Sequence, residues 1–355
     1  MQPMKYLLPK TALIVHNALT DAVPYPDAPI TDNDTVSTAK EISEILESYG
    51  VKTKLFSVGN LNDLKTLRKT KTGFIFNCAD DNIGDIPFSS HLIPKIAEKM
   101  KIPFSGGTAK NILLTTDKAV TKKILLENNI PTAPFIVIRN QIRPGPAKRG
   151  QAFADKIGYP LIIKPIASDG SEGVTQKSVV ENRKQLIEAI KNNFKLFHQP
   201  ALVEKYIPGR EINVAVLEIK GLPKVLPSSE ITFPKEYGQK YKIVDFDSKW
   251  RPETPQYNHT PAACPADIPK KLDRLLANLA AKVWKILDLK SYVRVDFRID
   301  KNCNPFILEV NVNPDIENNP AVGFPRAAKK FGINYKNLIL TIVDSAMHRH
   351  KIAPD

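Results

Sequence analysis

Three cysteines (Cys78, Cys264 and Cys303) are spread over 355 residues, odd in number and in no metal-ligand spacing. That argues against a disulfide framework or a cysteine-based zinc site and fits free thiols in a reducing cytoplasm. No apolar run approaches the roughly 20 residues needed to span a bilayer. The opening MQPMKYLLPKTALIV has one early lysine and no small-residue cleavage pattern, so no secretory leader is expected. Repeats and low-complexity tracts are also lacking. Hydrophobic residues at 42% and charged residues at 25% describe a soluble globular protein, long enough for two or three units. The expected location is cytoplasmic, with no membrane partner.

Lysine and arginine number 51 against 37 acidic residues, a net charge of +14. The lysines are scattered, and pairs such as Lys122-Lys123 and Lys270-Lys271 fall on helical patterns. No basic stripe is interleaved with aromatics. The excess is therefore read as a solvated surface, with nucleic acid not expected as a partner.

Chemistry concentrates in YVRVDFRIDKNCNPFILEVNVNP, residues 292–314. Period-two alternation puts Val293, Val295, Phe297 and Ile299 on one face of a strand and Arg294, Asp296, Arg298 and Asp300 on the other. After the DKNCN turn, Phe306, Leu308 and Val310 are expected on one face, and Ile307, Glu309 and Asn311 opposite. Folding the hairpin brings Asp296 beside Glu309 and Asn311. Two carboxylates and an amide oxygen suit Mg²⁺, with Mn²⁺ as a substitute, provided nucleotide phosphates complete the shell.

Upstream, KTALIVH, VKTKLFSV and GFIFNC read as strands around a helix with Val36, Ala39, Ile42, Ile45, Leu46 and Tyr49 on one face. This order predicts a parallel open sheet. A helix opened by Thr116 or Asp117 begins a middle unit. It continues with strand YPLIIKP, the polar loop ASDGSEGV, a helix carrying Leu186, Ile187, Ile190 and Phe194, and strand ALVEKYI. PGPAKRG at 144–150 reads as a connecting loop. A third unit holds EINVAVLEI, a proline-dense stretch over 223–264, a helix over 268–288, the hairpin, and a closing helix near 335–347. The expected units are 1–107, 108–204 and 205–355.

These pieces, in order over roughly residues 70–345, resemble the ATP-grasp superfamily and within it the D-alanine–D-alanine ligases. The resemblance implies an α/β protein, α+β in its C-terminal part, with a Rossmann-like pre-ATP-grasp domain before the ATP-grasp fold. It implies that Lys118 and Lys164 bind ATP phosphate, with Ser171 in the loop after Lys164. Glu204, Lys205, Tyr206 and Ile207 then form the adenine-reading linker, and Glu211 binds the ribose. Lys249 in DFDSKW reaches the γ-phosphate and Arg294 steadies an oxyanion. Asp296, Glu309 and Asn311 hold the metal. Each residue taken singly would pass for an ordinary strand-end or helix charge; their shared order gives them weight.

Three stretches depart from the family pattern. ITDNDTVS replaces a Gly-rich turn with a glutamate, leaving Asp32 and Asp34 as loose candidates for the substrate ammonium. CADDNIGDIP lacks the family's histidine, and Cys78 there reads as a buried thiol. The glycine after ExNxxP is Asp315, followed by a longer loop containing Glu317-Asn318-Asn319. Negative charge beside Arg294 would disfavour an acceptor carboxylate, and D-Ala–D-Ala synthesis is then expected to be slow. The open alternative is that Asp315 turns to solvent and the loop supplies other donors. The implied activity is an ADP-forming carboxylate–amine ligase working on amino acids or small peptides, with homodimers admitted. The alternatives are a peptide ligase of specialised metabolism and a non-catalytic ATP-binding regulator.

Overall fold

Continuous burial from Ala12 to Asn17 marks β1 (Thr11–Asn17) as a strand covered on both faces. It is the centre of a sheet in a computed structural model that describes residues 6–18, 28–79, 82, 83, 86, 88–139, 145–251 and 253–352. Side chains of 28–34, 145–147 and 352 fall outside that description, which includes Asp32 and Asp34. After β1 come α1 (Ala28–Glu47), β2 (Lys52–Val58), α2 (Leu61–Leu67), β3 (Ile75–Asn77) and α3 (Leu92–Met100). The sheet order is β2-β1-β3, both pairs parallel, as the strand–helix–strand pattern predicts. Ala39, Ile42 and Leu46 of α1 are buried. Tyr49 is not: it lies past the helix end and is 43% exposed beneath Lys336.

Two helices come next, and the second opens at Asp117 as expected. Thr108 caps α4 (Ala109–Thr116), and the Asp117 carboxylate caps α5 (Lys118–Glu127), accepting the Ala119 and Val120 amides at 2.9 and 3.0 Å. There follow β4 (Phe135–Ile138), α6 (Gly145–Ile157), β5 (Leu161–Pro165), β6 (Val179–Val180), α7 (Arg183–Phe197) and β7 (Ala201–Lys205). Their antiparallel sheet runs β4-β7-β5-β6. Of the loop expected at 144–150, residue 144 lies outside the described residues and 145–150 are instead the start of α6. Proline is tolerated in a first turn, where its missing N–H has no intrahelical partner to lose.

The third sheet is built from β8 (Arg210–Ile219), β9 (Leu222–Val225) and β10 (Ser229–Ile231), then, after the short helices α8 (Phe246–Trp250) and α9 (Pro255–Asn258), β11 (Ala262–Ala263). Helix α10 (Lys270–Ile286) leads to β12 (Tyr292–Ile299) and β13 (Pro305–Val312), and α11 (Gly323–Lys330) and α12 (Tyr335–Ile352) close the chain. The order is β11-β10-β8-β12-β13, with β9 against β8. One face packs Val293, Val295 and Phe297 on Leu276, Ala280 and Val283 of α10. The other joins Leu217 and Tyr292 to α12 and, through Ile42 and Leu46, to the first sheet's helix. Two separate cores thus hold the β12–β13 hairpin rigid.

Register corrects one expectation. Asp296 pairs with Glu309, but Phe297 pairs with Ile307, so Leu308 is an extra residue in a β-bulge. The bulge sends Ile307 into the core beside Val310, while Leu308 borders the cleft with Glu309. The polar run after Glu309 has a packing purpose. Asn313 accepts the Gly107 amide at 2.8 Å, and a Cβ on Gly107 would come within 2.3 Å of Val312 Cγ1. The first unit is docked on the hairpin at a contact too close for any other residue.

Candidate active site

β12 presents alternate side chains to one side of the sheet, and its neighbours supply their partners. Asp296 lies between Asn213 on β8 and Glu309 on β13, and Arg294 lies opposite Asn311. The buried Asp296 carboxylate accepts four bonds. Asn213 Nδ2 at 2.7 Å and Arg294 Nε at 2.8 Å reach Oδ1; Arg294 Nη2 and Asn311 Nδ2, both at 2.8 Å, reach Oδ2. Among the described residues, Glu309 has only a long contact from Asn311 Nδ2 at 3.5 Å. Burial disfavours the Arg294 charge, yet Asp296 and Glu309 outweigh it and hold the guanidinium protonated. Burial pushes Glu211 above the usual carboxylate range; Arg298 opposes this and Asp296 and Glu309 add to it. Negative charge is thus concentrated on this face.

A second cluster lies across the cleft. Glu204 on β7 is clasped by Lys122 Nζ at 2.6 Å and Lys164 Nζ at 2.7 Å, with Lys122 and Glu204 each 1% exposed. Desolvation alone would raise the Glu204 pKa, but the two lysines bring it down to about 2. Lys122 is pulled down by burial, while Lys164 is raised because Glu204 and Glu309 overcome its desolvation. Glu204 therefore borders the cleft as the shared counter-ion of Lys122 and Lys164. Alternate strand residues face opposite ways, so Lys205 leaves this cluster and donates to the carbonyls of Gly158 and Tyr159. Its amide donates to Pro134 O and that of Tyr206 to Pro160 O. Of the expected linker, the Ile207 amide alone has no such partner among the described residues. Arg298 fixes this segment: Nε donates to Ile207 O at 3.1 Å, Nη1 meets Glu211 at 3.2 Å, and the guanidinium lies 5.7 Å from the Tyr206 ring centroid.

The polar loop after β5 closes the cleft. Lys118 Nζ donates to Ser168 O, Ser171 Oγ to Val244 O at 2.9 Å, and Trp250 Nε1 to Gly170 O at 2.7 Å. Lys249 lies 5.1 Å from the Trp250 ring centroid. Asp169 is held low against its burial by Lys249 and Lys118. A cleft of about 760 Å³ is lined by Lys118, Lys164, Ser171, Glu204, Lys205, Tyr206, Ile207, Glu211, Lys249, Arg294, Asp296 and Glu309. Asn311 lies behind it, in the wall of a smaller cavity of about 100 Å³ shared with Asn77, Cys78 and Thr38 of the first unit. Desolvation raises the Cys78 pKa far above its ordinary value, so the thiol stays protonated. Among the described residues, Asn77 Nδ2 is buried there without an acceptor.

Sequence reasoning missed Lys122, Asn213 and Arg298. Lys122 reads as a surface charge beside Lys123, although its spacing of four from Lys118 places both on one helix face. Arg298 is visible in the alternation but carries no role there.

The donor set bears on a metal. Among the described residues no three His, Cys, Asp or Glu side chains cluster. The protein would supply two carboxylates and one amide, the hard-oxygen set a phosphate-bound divalent ion takes. Burial is the main cause of the Glu211 rise; the Asp296 and Glu309 charges that add to it would be relieved by a cation at this place.

A family model described as the D-ala D-ala ligase C-terminus matches residues 124–344, which carry these groups except Lys118, Lys122 and the small-cavity residues Thr38, Asn77 and Cys78. The chain belongs to that family of ATP-dependent ligases. Over nearly its whole length, the chain is 29% identical to the uncharacterized protein y4sG of Sinorhizobium fredii, covering 96% of this chain and 98% of that one. It is 28% identical to a D-alanine–D-alanine ligase of Bordetella avium, covering 86% and 87%. The crystal structure of the D-alanine–D-alanine ligase from Bacillus anthracis complexed with ATP superposes with a TM-score of 0.74 at 20% identity, covering 97% and 98%. The fold is ATP-grasp, α/β with the N-terminal parallel domain the sequence predicts. Among the described residues, no helix is long and apolar enough to cross a membrane.

Proposed function

We propose that this member of the family is an ADP-forming ligase that binds ATP in the large cleft and joins the carboxylate of one amino acid or small peptide to the amine of another. A carboxylate oxygen of the first substrate attacks the γ-phosphorus and ADP leaves, giving an acyl phosphate. The second substrate's amine then attacks the acyl carbon, and phosphate departs as the amine loses a proton. Phosphoryl transfer depends mostly on positioning and charge neutralisation, the work assigned to Lys118, Lys164 and Lys249. Arg294 is assigned to the oxyanion of the tetrahedral intermediate. Mg²⁺ held by Asp296, Glu309 and Asn311 would neutralise phosphate charge. Of the three units 1–107, 108–204 and 205–355, the second and third would wall the large cleft and the first would border the smaller cavity beside Arg294.

The observation that carries this reading is the meeting of both clusters in one cleft: an acid pair on one side, a charge-locked lysine on the other. Loss of a phosphate lysine or of the acid pair would have favoured a silent ATP-binding regulator, and neither is lost. The relatives' names put D-alanine first among candidate substrates. The test is phosphate release from ATP across amino acids and dipeptides, with each product identified by mass spectrometry. Amine-dependent release supports a ligase; ATP binding without it in any combination supports the regulator.

A further inference from the structure

This inference rests on the ligase reading and concerns its second substrate. Beyond Arg294 the large cleft is bordered by the 319–323 segment and by Arg326 in the first turn of α11. Arg326 Nη1 donates to the carbonyls of Pro320 at 3.1 Å and Ala321 at 2.9 Å. Its Nε is buried and donates to nothing, and Nη2 has no protein acceptor among the described residues. No carboxylate among those residues forms an ion pair with it. Arg294 makes the contrast: there the same Nε–Nη2 edge grips Asp296 through two parallel bonds. Burial disfavours the Arg326 charge, and the neighbouring Arg294 adds to this.

Acidic residues border this end as well. Asp315 is exposed, and its Oδ1 accepts the Glu317 amide at 2.8 Å, turning its charge into its own loop. Glu317 is half-buried. Arg326 makes its hydrogen bonds through Nη1, so among the described residues the region holds a cation whose Nε–Nη2 edge is unused.

We propose that Arg326 receives the anionic end of the second substrate, so that the acceptor is an amino acid or short peptide with a free carboxylate. This reverses the expectation drawn from Asp315, which favoured neutral or cationic acceptors. A guanidinium edge matches a carboxylate through two charge-assisted bonds, whereas a terminal amide offers one acceptor oxygen and no charge.

The test offers each acceptor as free acid and as C-terminal amide, beginning with D-alanine and D-alaninamide over a fixed D-alanine donor. ADP release is followed for wild type, Arg326→Lys and Arg326→Ala. Wild type is expected to favour the acid by about tenfold or more in kcat/KM. Arg326→Ala is expected to raise the acid acceptor's KM by roughly 10–100-fold, with the ATP KM within about twofold and the acid preference gone; Arg326→Lys recovers part of it. Equal use of acid and amide by wild type overturns the inference and leaves the ligase reading standing. So does an Arg326→Ala enzyme that keeps the acid preference. If Arg326→Ala fails to fold, the wild-type comparison still decides. Absence of acceptor-dependent ADP release from wild type overturns both readings.

Discussion

Glu204 shows most plainly what the fold adds to a motif residue. On paper it heads an adenine-reading linker; in the fold it is the counter-ion between two buried lysines, held down at about 2. Removing one partner of a buried ion cluster leaves an uncompensated charge. Glu204→Gln should therefore cost about 3–5 kcal/mol of stability, read by urea unfolding. Glu309→Gln, whose carboxylate makes one long contact, should stay within about 1 kcal/mol of wild type yet abolish turnover. Near-wild-type phosphate release from Glu309→Gln would remove Glu309 from the metal site. The Glu204 pKa is depressed from its ordinary carboxylate value, so its stabilising contribution is complete above that value. It is lost as pH falls toward about 2. Acid unfolding of wild type should show this loss, and a Lys122→Met/Glu204→Leu double variant should show a flatter acid limb.

At the scale of elements, the hairpin was legible because hydrophobic alternation and charged alternation coincide over Val293–Asp300. The bulge at Leu308 was not, because a one-residue insertion leaves no mark in composition; it changes only which neighbour each residue meets. Helices α4 and α11 were missed for a related reason. Both are short, and their stability comes from packing on β13 and α12 instead of from a long periodic face. Glycine carries a testable link between elements. Gly209, at φ +149 between β7 and β8, would place a Cβ 1.9 Å from Ile299 O. Gly209→Ala should force the adenine-side segment off the hairpin, costing about 1–3 kcal/mol and raising the ATP KM. An unchanged melting temperature and ATP KM would show that the segment has slack.

For the whole molecule, family order told more than any single residue. Lys118, Lys164, Glu211, Lys249, Asp296 and Glu309, which the sequence groups by family order, all line one cleft, because each sits on a helix or strand whose position the fold determines. It could not show the contacts between residues far apart in the chain, such as Asn313 to Gly107 and Arg298 to Ile207. Those depend on how three sheets meet, and residues far apart in sequence meet there without a local pattern. The central claim is that the cleft makes an acyl phosphate from ATP and a substrate carboxylate. Its most direct measurement uses a donor labelled with ¹⁸O in the carboxylate, paired with the acceptor that best supports turnover, and mass analysis of the released phosphate. The account predicts one ¹⁸O in each phosphate released. Turnover that yields product with unlabelled phosphate would contradict it.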